Sequence, residues 1–178
     1  MDDNGSTPAS LQSLMPERHK LELFVTATDF FGYSRQVAYA NPNPINDTRH
    51  RHLLSFRFGG DDRRDDFDRG SNALTFAART TSSIPGAFPP VSFQALQGWL
   101  GPTRPIDYQD VEERFFRLYE LAKFPAAWTW FVDGGVLDNK PFGPAIQAIR
   151  ERPAEVQVDR RLLYLEPDPG VGLSPVHR

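Results

Sequence analysis

Asp133-Gly134-Gly135 is the part of the sequence whose residue types point most directly to chemistry. The aromatic and β-branched run that ends at Val132 favours a strand before the acid. The two glycines favour a sharp turn after it, because they adopt positive φ without a Cβ penalty. We therefore expect a carboxylate at the mouth of a sheet, where α/β enzymes hold catalytic groups. An ordinary Asp-Gly turn without catalysis is the simpler interpretation, and it stays open.

A second segment, Ser83–Val91 with the sequence SIPGAFPPV, begins 50 residues before Asp133. Together the two segments resemble the patatin-like phospholipases, which carry a similar Ser-x-x-Pro-x-x-Phe-Pro-Pro segment and then Asp-Gly-Gly or Asp-Gly-Ala. The strand-like run Phe24–Asp29 is similar to the central strand of that family. Arg161–Pro169 is similar to a bacterial branch, the patatin-related proteins. The resemblance covers roughly residues 21–170.

This resemblance implies a serine acyl hydrolase of the phospholipase A type, active in lipid degradation. A serine attacks the ester carbonyl of a glycerolipid or phospholipid, and an aspartate serves as its base without a histidine between them. By its place in the motif, the aspartate of this Ser-Asp dyad is Asp133. A carboxylate activates a hydroxyl only within about 2.6–3.2 Å, and Gly134 and Gly135 would allow that approach.

Two parts of the family pattern are missing from these residues. None of the 13 glycines forms a Gly-x-Ser-x-Gly nucleophile elbow, and Gly59-Gly60 is followed by acids rather than oxyanion donors. The chain is therefore similar to the C-terminal part of a patatin domain without its first part. We expect the isolated chain not to hydrolyse esters. A truncated gene model and a split enzyme, with a separate chain that carries the nucleophile half, both stay open. We expect no cofactor and no metal, and the substrate-binding residues stay unassigned.

Two other classes of function also fit the sequence. One is a non-catalytic lipid-binding or regulatory protein on a patatin scaffold, with peripheral contact to a membrane. The other is an unrelated α/β interaction module in which Asp133 only shapes a turn. A gene-fragment product that folds poorly alone is a third reading, because missing strands leave sheet edges exposed.

Composition and charge exclude several classes. The chain has 178 residues, 39% of them hydrophobic, which suits one globular domain. The net charge of −3 argues against nucleic-acid binding, and the absence of cysteine excludes disulfides and zinc-thiolate sites. No stretch is apolar enough to span a membrane or to serve as a signal peptide, so we expect a cytoplasmic protein.

The fold class predicted from these patterns is α/β: a patatin-like sheet with flanking helices, missing its N-terminal strands. The predicted domains are a flexible leader (1–16), a partial patatin-like domain (17–170) and a loose tail (171–178). The predicted strands cover 21–28, 34–40, 52–58, 128–132 and 162–165, with 33–40 and 50–58 paired as a hairpin. The predicted helices cover about 72–81, 108–123 and 141–152, and residues 92–106 are expected to be irregular. The apolar spacing predicts a buried face for each helix, in chain order: Leu74, Ala77 and Ala78; Val111, Phe115, Leu118 and Leu121 or Ala122; Phe142, Ala145, Ile146 and Ile149.

Other polar residues have simpler explanations. His50 and His52 share a strand face, but no third metal ligand follows, so we expect surface or packing histidines. The charged run 59–70 lacks the spacing of a calcium-binding loop and is expected to be solvated. Asp29 and Asp138 lie near strand ends, and we expect neither to be catalytic.

Overall fold

The computed structural model describes residues 14–16, 19–37, 45–59, 65–68, 72–102, 108–123, 125–126 and 129–165. The chain divides into two units, Met1–Pro141 and Phe142–Arg178. The predicted loose tail, nearly all of the predicted leader and most of the charged run lie outside the described residues.

Two long antiparallel strands, β1 (Leu21–Val37) and β2 (Ile45–Phe58), form the main part of the sheet of the first unit. Leu21 pairs with Phe58 at one end and Val37 with Ile45 at the other. The register shifts between Thr28 and Tyr33, where a β-bulge bends the ribbon. Gly32 in this bulge has φ +72°, a conformation that glycine adopts at little cost.

The short strand β3 (Phe131–Asp133) pairs with the other side of β1, so the strand order is β2-β1-β3 and every pairing is antiparallel. Helices α1 (Asn72–Thr81), α2 (Phe93–Leu100), α3 (Tyr108–Phe115) and α4 (Arg117–Leu121) accompany this sheet, and a 3-10 turn follows β3 at Gly134–Val136. The fold is thus a mixed α and β structure: a three-stranded antiparallel sheet with flanking helices.

An aromatic cluster forms the core of the first unit. Phe76 stacks on Phe93 with ring centroids 4.2 Å apart, and Phe131 meets Phe76 edge-to-face at 5.4 Å. Phe116 lies 5.2 Å from Phe93, again edge-to-face. These rings and Phe56 are almost fully buried. Burying a Phe side chain stabilises the fold by about 1.5–3 kcal/mol, so this cluster anchors β3, and with it Asp133, to the helices.

The second unit consists of helix α5 (Phe142–Glu151) and a following segment without regular structure. The ring of Phe142 packs against Tyr164 at 5.2 Å. Arg160 donates hydrogen bonds to the carbonyl oxygens of Ile149, at 2.9 Å, and of Arg152. These contacts hold the segment against its own helix.

The structure corrects several sequence predictions about strands. The predicted strands 21–28 and 34–40 belong to one bulged strand, since Gly32 bends β1 without ending it. Residues 50–58 therefore pair mostly with 21–28, and not with 33–40. The predicted strand 162–165 is absent: these residues are exposed and irregular, and their apolar run has no sheet to join among the described residues.

The helix predictions were right about existence and partly wrong about faces. Helix α1 lies at 72–81 as predicted, but it buries Phe76 and Thr80 and exposes Ala78. The predicted single helix 108–123 is broken at Phe116, whose ψ of 18° is not helical. The break turns Phe116 and Tyr119 inward and leaves Leu118 exposed.

Helices α2 and α5 also differ from expectation. Residues 93–100 form a helix where irregular chain was predicted, and the Ser92 side chain caps it by accepting from the Ala95 N–H at 3.1 Å. Helix α5 lies where a helix was predicted, but it has no fully buried residue, and Ile146 of its expected buried face is exposed.

Candidate active site

Asp133 is the last residue of β3 and caps the 3-10 turn that follows. One carboxylate oxygen, Oδ1, accepts the Gly135 N–H at 2.9 Å. The Gly134 carbonyl accepts the N–H groups of Leu137, at 3.1 Å, and Asp138, at 2.8 Å. The second oxygen, Oδ2, has no hydrogen-bond partner among the described residues, and the side chain is only half-buried. The turn thus fixes the orientation of the carboxylate through Oδ1, and Oδ2 remains without a hydrogen bond from the described residues.

Gly134 is required by a close approach to β1. A Cβ atom at this position would lie 2.3 Å from the carbonyl carbon of Thr26 and 2.4 Å from its Cβ. The Thr26 hydroxyl also lies 3.5 Å from the Asp138 carbonyl oxygen. Because a side chain at position 134 would collide with the backbone of the central strand, glycine sets how closely this turn packs on the sheet.

All three segments that carry the sequence resemblance and fall within the first unit meet at Asp133. Ala27 of β1 pairs with Asp133. The Asp133 N–H donates to the carbonyl oxygen of Ser83 at 3.0 Å. Val91, at the other end of the Pro-rich segment, exchanges two backbone hydrogen bonds with Phe131, of 2.9 and 2.7 Å. The Ser83–Val91 segment therefore lies beside β3 at both of its ends.

The hydroxyl of Ser83 does not face the aspartate as a nucleophile would. It donates to the Arg79 carbonyl at 2.9 Å and accepts from the Arg79 guanidinium at 2.6 Å. The same guanidinium donates to the Pro89 carbonyl at 3.1 Å and lies 4.6 Å from the ring centre of Trp99. Arg79 therefore holds the Pro-rich segment in place through its hydrogen bonds with Ser83 and Pro89. The sequence did not single out Arg79 as a functional residue.

An apolar cavity of about 520 Å³ lies next to the Asp133 turn. Its size is in the range of sites for small ligands. Phe30 and Phe88 are 62% and 55% exposed, and Val136 is 51% exposed, so the rim is unusually apolar. The lining residues are Thr28, Asp29, Phe30, His50, Pro85, Gly86, Phe88, Pro90, Val132, Val136 and Leu137.

Asp29 is a fully buried carboxylate in the bulge of β1. Its Oδ2 accepts the Tyr119 hydroxyl at 2.8 Å and its Oδ1 accepts the Phe31 N–H at 2.9 Å. Burial raises the pKa of Tyr119 well above its usual range, and the negative charge and hydrogen bond of Asp29 add to that increase. Both carboxylate oxygens of Asp29 are thus held by structural partners.

The two candidate histidines occupy different environments. The His50 Nδ1 lies 2.9 Å from the Asp29 carbonyl oxygen. His52 stacks on Phe116 with ring centroids 4.5 Å apart and is a packing histidine. Burial lowers the pKa of His52 from 6.5 to about 4, although a hydrogen bond to the backbone of Phe115 acts in the opposite direction. Among the described residues, no group of three His, Asp or Glu side chains is placed to hold a metal ion.

Acid should destabilise the protein through His52. The unfolded state binds the proton at about pH 6.5 and the folded state only near pH 4, so stability is fully present above 6.5 and falls between these values. We expect the free energy of unfolding in urea to decrease by about 2 kcal/mol through this residue between pH 7.5 and 5. His52→Gln has no imidazole to titrate, so its free energy of unfolding should decrease by about 2 kcal/mol less over the same pH range. Equal pH dependence in the two proteins would contradict this assignment.

Comparisons with known proteins give one informative match. Over 111 residues the chain is 33% identical to a Mycobacterium tuberculosis protein named uncharacterized membrane protein Rv3479. The match covers 59% of this chain and 9% of that protein, so the chain spans less than a tenth of the relative's length. No protein-family model matches the sequence, and no solved structure matches it. None of the helices within the described residues is long and apolar enough to cross a membrane.

Proposed function

We propose that this chain supplies the aspartate of a serine–aspartate lipid acyl hydrolase of the patatin type, with Asp133 as the general base. One observation supports this most: three segments that are separated in sequence meet at one carboxylate, which has a single oxygen in a hydrogen bond. Strand β1, the Ser83–Val91 segment and the Asp133 turn are far apart in sequence, yet backbone hydrogen bonds join them at Asp133. An ordinary turn would not require these partners.

The chemistry needs one further group, a serine hydroxyl near Oδ2 of Asp133. With the Gly135 N–H bound to Oδ1, the carboxylate keeps its orientation while Oδ2 takes the serine proton. The serine oxygen then bonds to the ester carbonyl carbon, and the proton passes from Asp133 to the departing alcohol. Water next attacks the acyl-serine, giving up a proton to Asp133, and the carboxylic acid leaves as the serine is regenerated.

The nucleophile must come from polypeptide other than these 178 residues, since no Gly-x-Ser-x-Gly occurs in them. The oxyanion donors must come from the same place, because acyl transfer depends on them. The match to less than a tenth of a far larger protein is compatible with a segment that works beside other segments. We infer that the chain is the base-carrying half of the site.

Glycerolipids and phospholipids are the proposed substrates. The apolar rim formed by Phe30, Phe88, Val136 and Leu137 suits acyl chains, and it would allow peripheral contact with the surface of a membrane from the cytoplasm. The same cavity also favours a second candidate, a protein that binds lipid without hydrolysing it. Liposome binding without turnover, after the missing serine is supplied, would support this second function.

The direct test compares the chain alone with the chain fused at its N-terminus to a segment that carries Gly-x-Ser-x-Gly, taken from the DNA upstream of Met1 if an in-frame motif is found there. We expect no hydrolysis of p-nitrophenyl butyrate above background by the chain alone, because it has neither nucleophile nor oxyanion hole. We expect turnover from the joined protein, abolished when the elbow serine is changed to alanine. Turnover by the chain alone that Asp133→Ala abolishes would overturn the proposed division of the site.

A further inference from the structure

The side of β1 that faces β3 is only partly paired. Strand β3 covers this side at Ala27–Asp29, and Gly134 packs against the backbone of Thr26. Before Thr26, no other segment of the described residues pairs with this side of the strand, whereas β2 pairs with the whole of the opposite side. Leu21–Val25 is therefore an open edge of the sheet, and it begins where the Asp133 turn leaves β1.

The hydrogen-bond pattern identifies the backbone groups that this open edge presents. The Asp133 N–H donates to Ser83 and not to its pairing partner Ala27, so these two residues form a non-hydrogen-bonded pair. The backbone of Ala27 therefore faces β2. Because the direction alternates along an antiparallel strand, the N–H and C=O groups of Glu22 and Phe24 face the open side. Those of the residues between them bond to β2.

The open edge lacks the charges with which proteins protect a free strand edge. Of its five residues only Glu22 is charged, and Leu21 and Leu23 are each 37% exposed. Apolar side chains lie on both faces, which is typical of strands enclosed in parallel sheets. The outer strand β2 is different, since it carries four charged residues: Asp47, Arg49, Arg51 and Arg57. The sequence of β2 thus suits an outer strand, and that of β1 suits an inner strand with a neighbour on each side.

The position of Asp133 sets the direction of the missing neighbour. In a Gly-x-Ser-x-Gly elbow the serine follows the carboxyl end of a strand. To bring that serine to Asp133, the carboxyl end must lie beside Val25, next to the place where the Asp133 turn packs on Thr26. Strand β1 also runs from Leu21 towards Val25, so the missing strand must be parallel to it.

We propose that the open edge of β1 binds, as a parallel neighbour, the strand that precedes the nucleophile serine. The partner is an extended and mainly apolar segment of the polypeptide that carries this serine. Its backbone bonds to the N–H and C=O groups of Glu22 and Phe24. This inference rests on the proposed function, because the direction of the strand follows from the role of Asp133. A second copy of the chain is the competing occupant.

Amide hydrogen exchange followed by NMR tests the open edge in the 178-residue chain and in the protein joined to the serine segment. In the chain alone, the amides of Glu22 and Phe24 should exchange about a hundredfold faster than those of Leu23 and Val25, which bond to β2. In the joined protein they should slow by about the same factor. Protection of Glu22 and Phe24 in the chain alone, as in a dimer, or its absence in the joined protein would overturn the proposal.

Two proline variants separate the two sides of β1. Glu22→Pro removes an N–H that faces the open side, where a strand tolerates proline, so the chain alone should unfold at the same urea concentration as the wild type. In the joined protein, this variant should make the Phe24 amide exchange about tenfold faster. Leu23→Pro is the matched control and removes a bond to β2, so it should lower the urea midpoint of the chain alone. Equal loss of stability in the two variants would contradict the assignment of the edge.

Engineered disulfides in the joined protein report the direction of the strand, because the chain has no cysteine of its own. Val25→Cys should link to a cysteine placed about two residues before the elbow serine, and Leu21→Cys to one about six residues before it. The reverse pairing would show an antiparallel strand and overturn the proposal. Neither measurement requires hydrolysis. Protected amides and these disulfides without turnover would support the docking edge and count against Asp133 as the base, whereas turnover without them would overturn the docking edge alone.

Discussion

Gly134→Ala is expected to destabilise the first unit by about 4 kcal/mol or more, enough to remove most of the stability of a typical domain. The added Cβ would lie 2.3 Å from the carbonyl carbon of Thr26. Thr26 cannot move aside, because β1 is the central strand and is paired with β2 at this point. Chemical denaturation followed by circular dichroism should show a lost or strongly shifted transition.

Two other glycines provide matched controls for this prediction. At Gly135 the nearest atom to a new Cβ is the amide oxygen of Asn139, at 3.2 Å, which lies at the end of a side chain that can rotate. Gly98 in α2 has no atom within 4 Å, so Gly98→Ala should stabilise the helix by about 0.5–1 kcal/mol. Gly134→Ala within 1 kcal/mol of the wild type would show that the turn is not packed against β1 as described.

Asp133→Asn should lower kcat/KM by about a thousandfold in the protein that carries the serine segment. Asparagine keeps an Oδ1 that accepts the Gly135 N–H, so the turn and its stability should be preserved. It has no basic oxygen to take the serine proton, and general-base catalysis contributes about 10²–10⁴ to rate. The measurement is ester hydrolysis by the wild type and the variant at equal concentration of folded protein.

The structural role of the carboxylate can be separated from the catalytic one. Asp133→Ala removes the cap and should cost about 1 kcal/mol of stability in addition to activity, whereas Asp133→Asn should cost activity alone. Asp138→Asn, in the same turn, should retain full activity. Because an Asn-Gly sequence deamidates back to aspartate, the intact mass of each sample must be checked. A variant with verified Asp133→Asn and more than a tenth of wild-type activity would exclude Asp133 as the base.

Features set by local chemistry were predictable from the sequence. The position of α1 followed from its apolar spacing, and the place of Asp133 at a strand end followed from the residues on either side of it. The bulge in β1 was not predictable, because Gly32 has the same appearance in a sequence whether it ends a strand or bends one. Whether β1 continues beyond Gly32 depends on its pairing with β2, which extends on both sides of the bulge.

The errors in the helices have a similar cause. The apolar spacing of 108–123 suits one continuous helix. In the structure the helix is interrupted at Phe116, and Phe116 and Tyr119 are buried in the core. Helix α2 had a local signal that was overlooked, the cap Ser92 followed by apolar residues at helical spacing. The cavity could not be foreseen, because its wall joins Thr28, His50 and Pro85 only through tertiary packing.

The antiparallel pairing of β3 with β1 has a consequence for the order of folding. Val37 and Ile45 close the β1–β2 ribbon over a few residues, whereas Ala27 and Asp133 are more than a hundred residues apart. Closing the longer loop costs about 2 kcal/mol more in chain entropy. The ribbon therefore forms early, and the strand that carries Asp133 docks late, onto an edge that is already in place. The site would therefore be assembled late in folding.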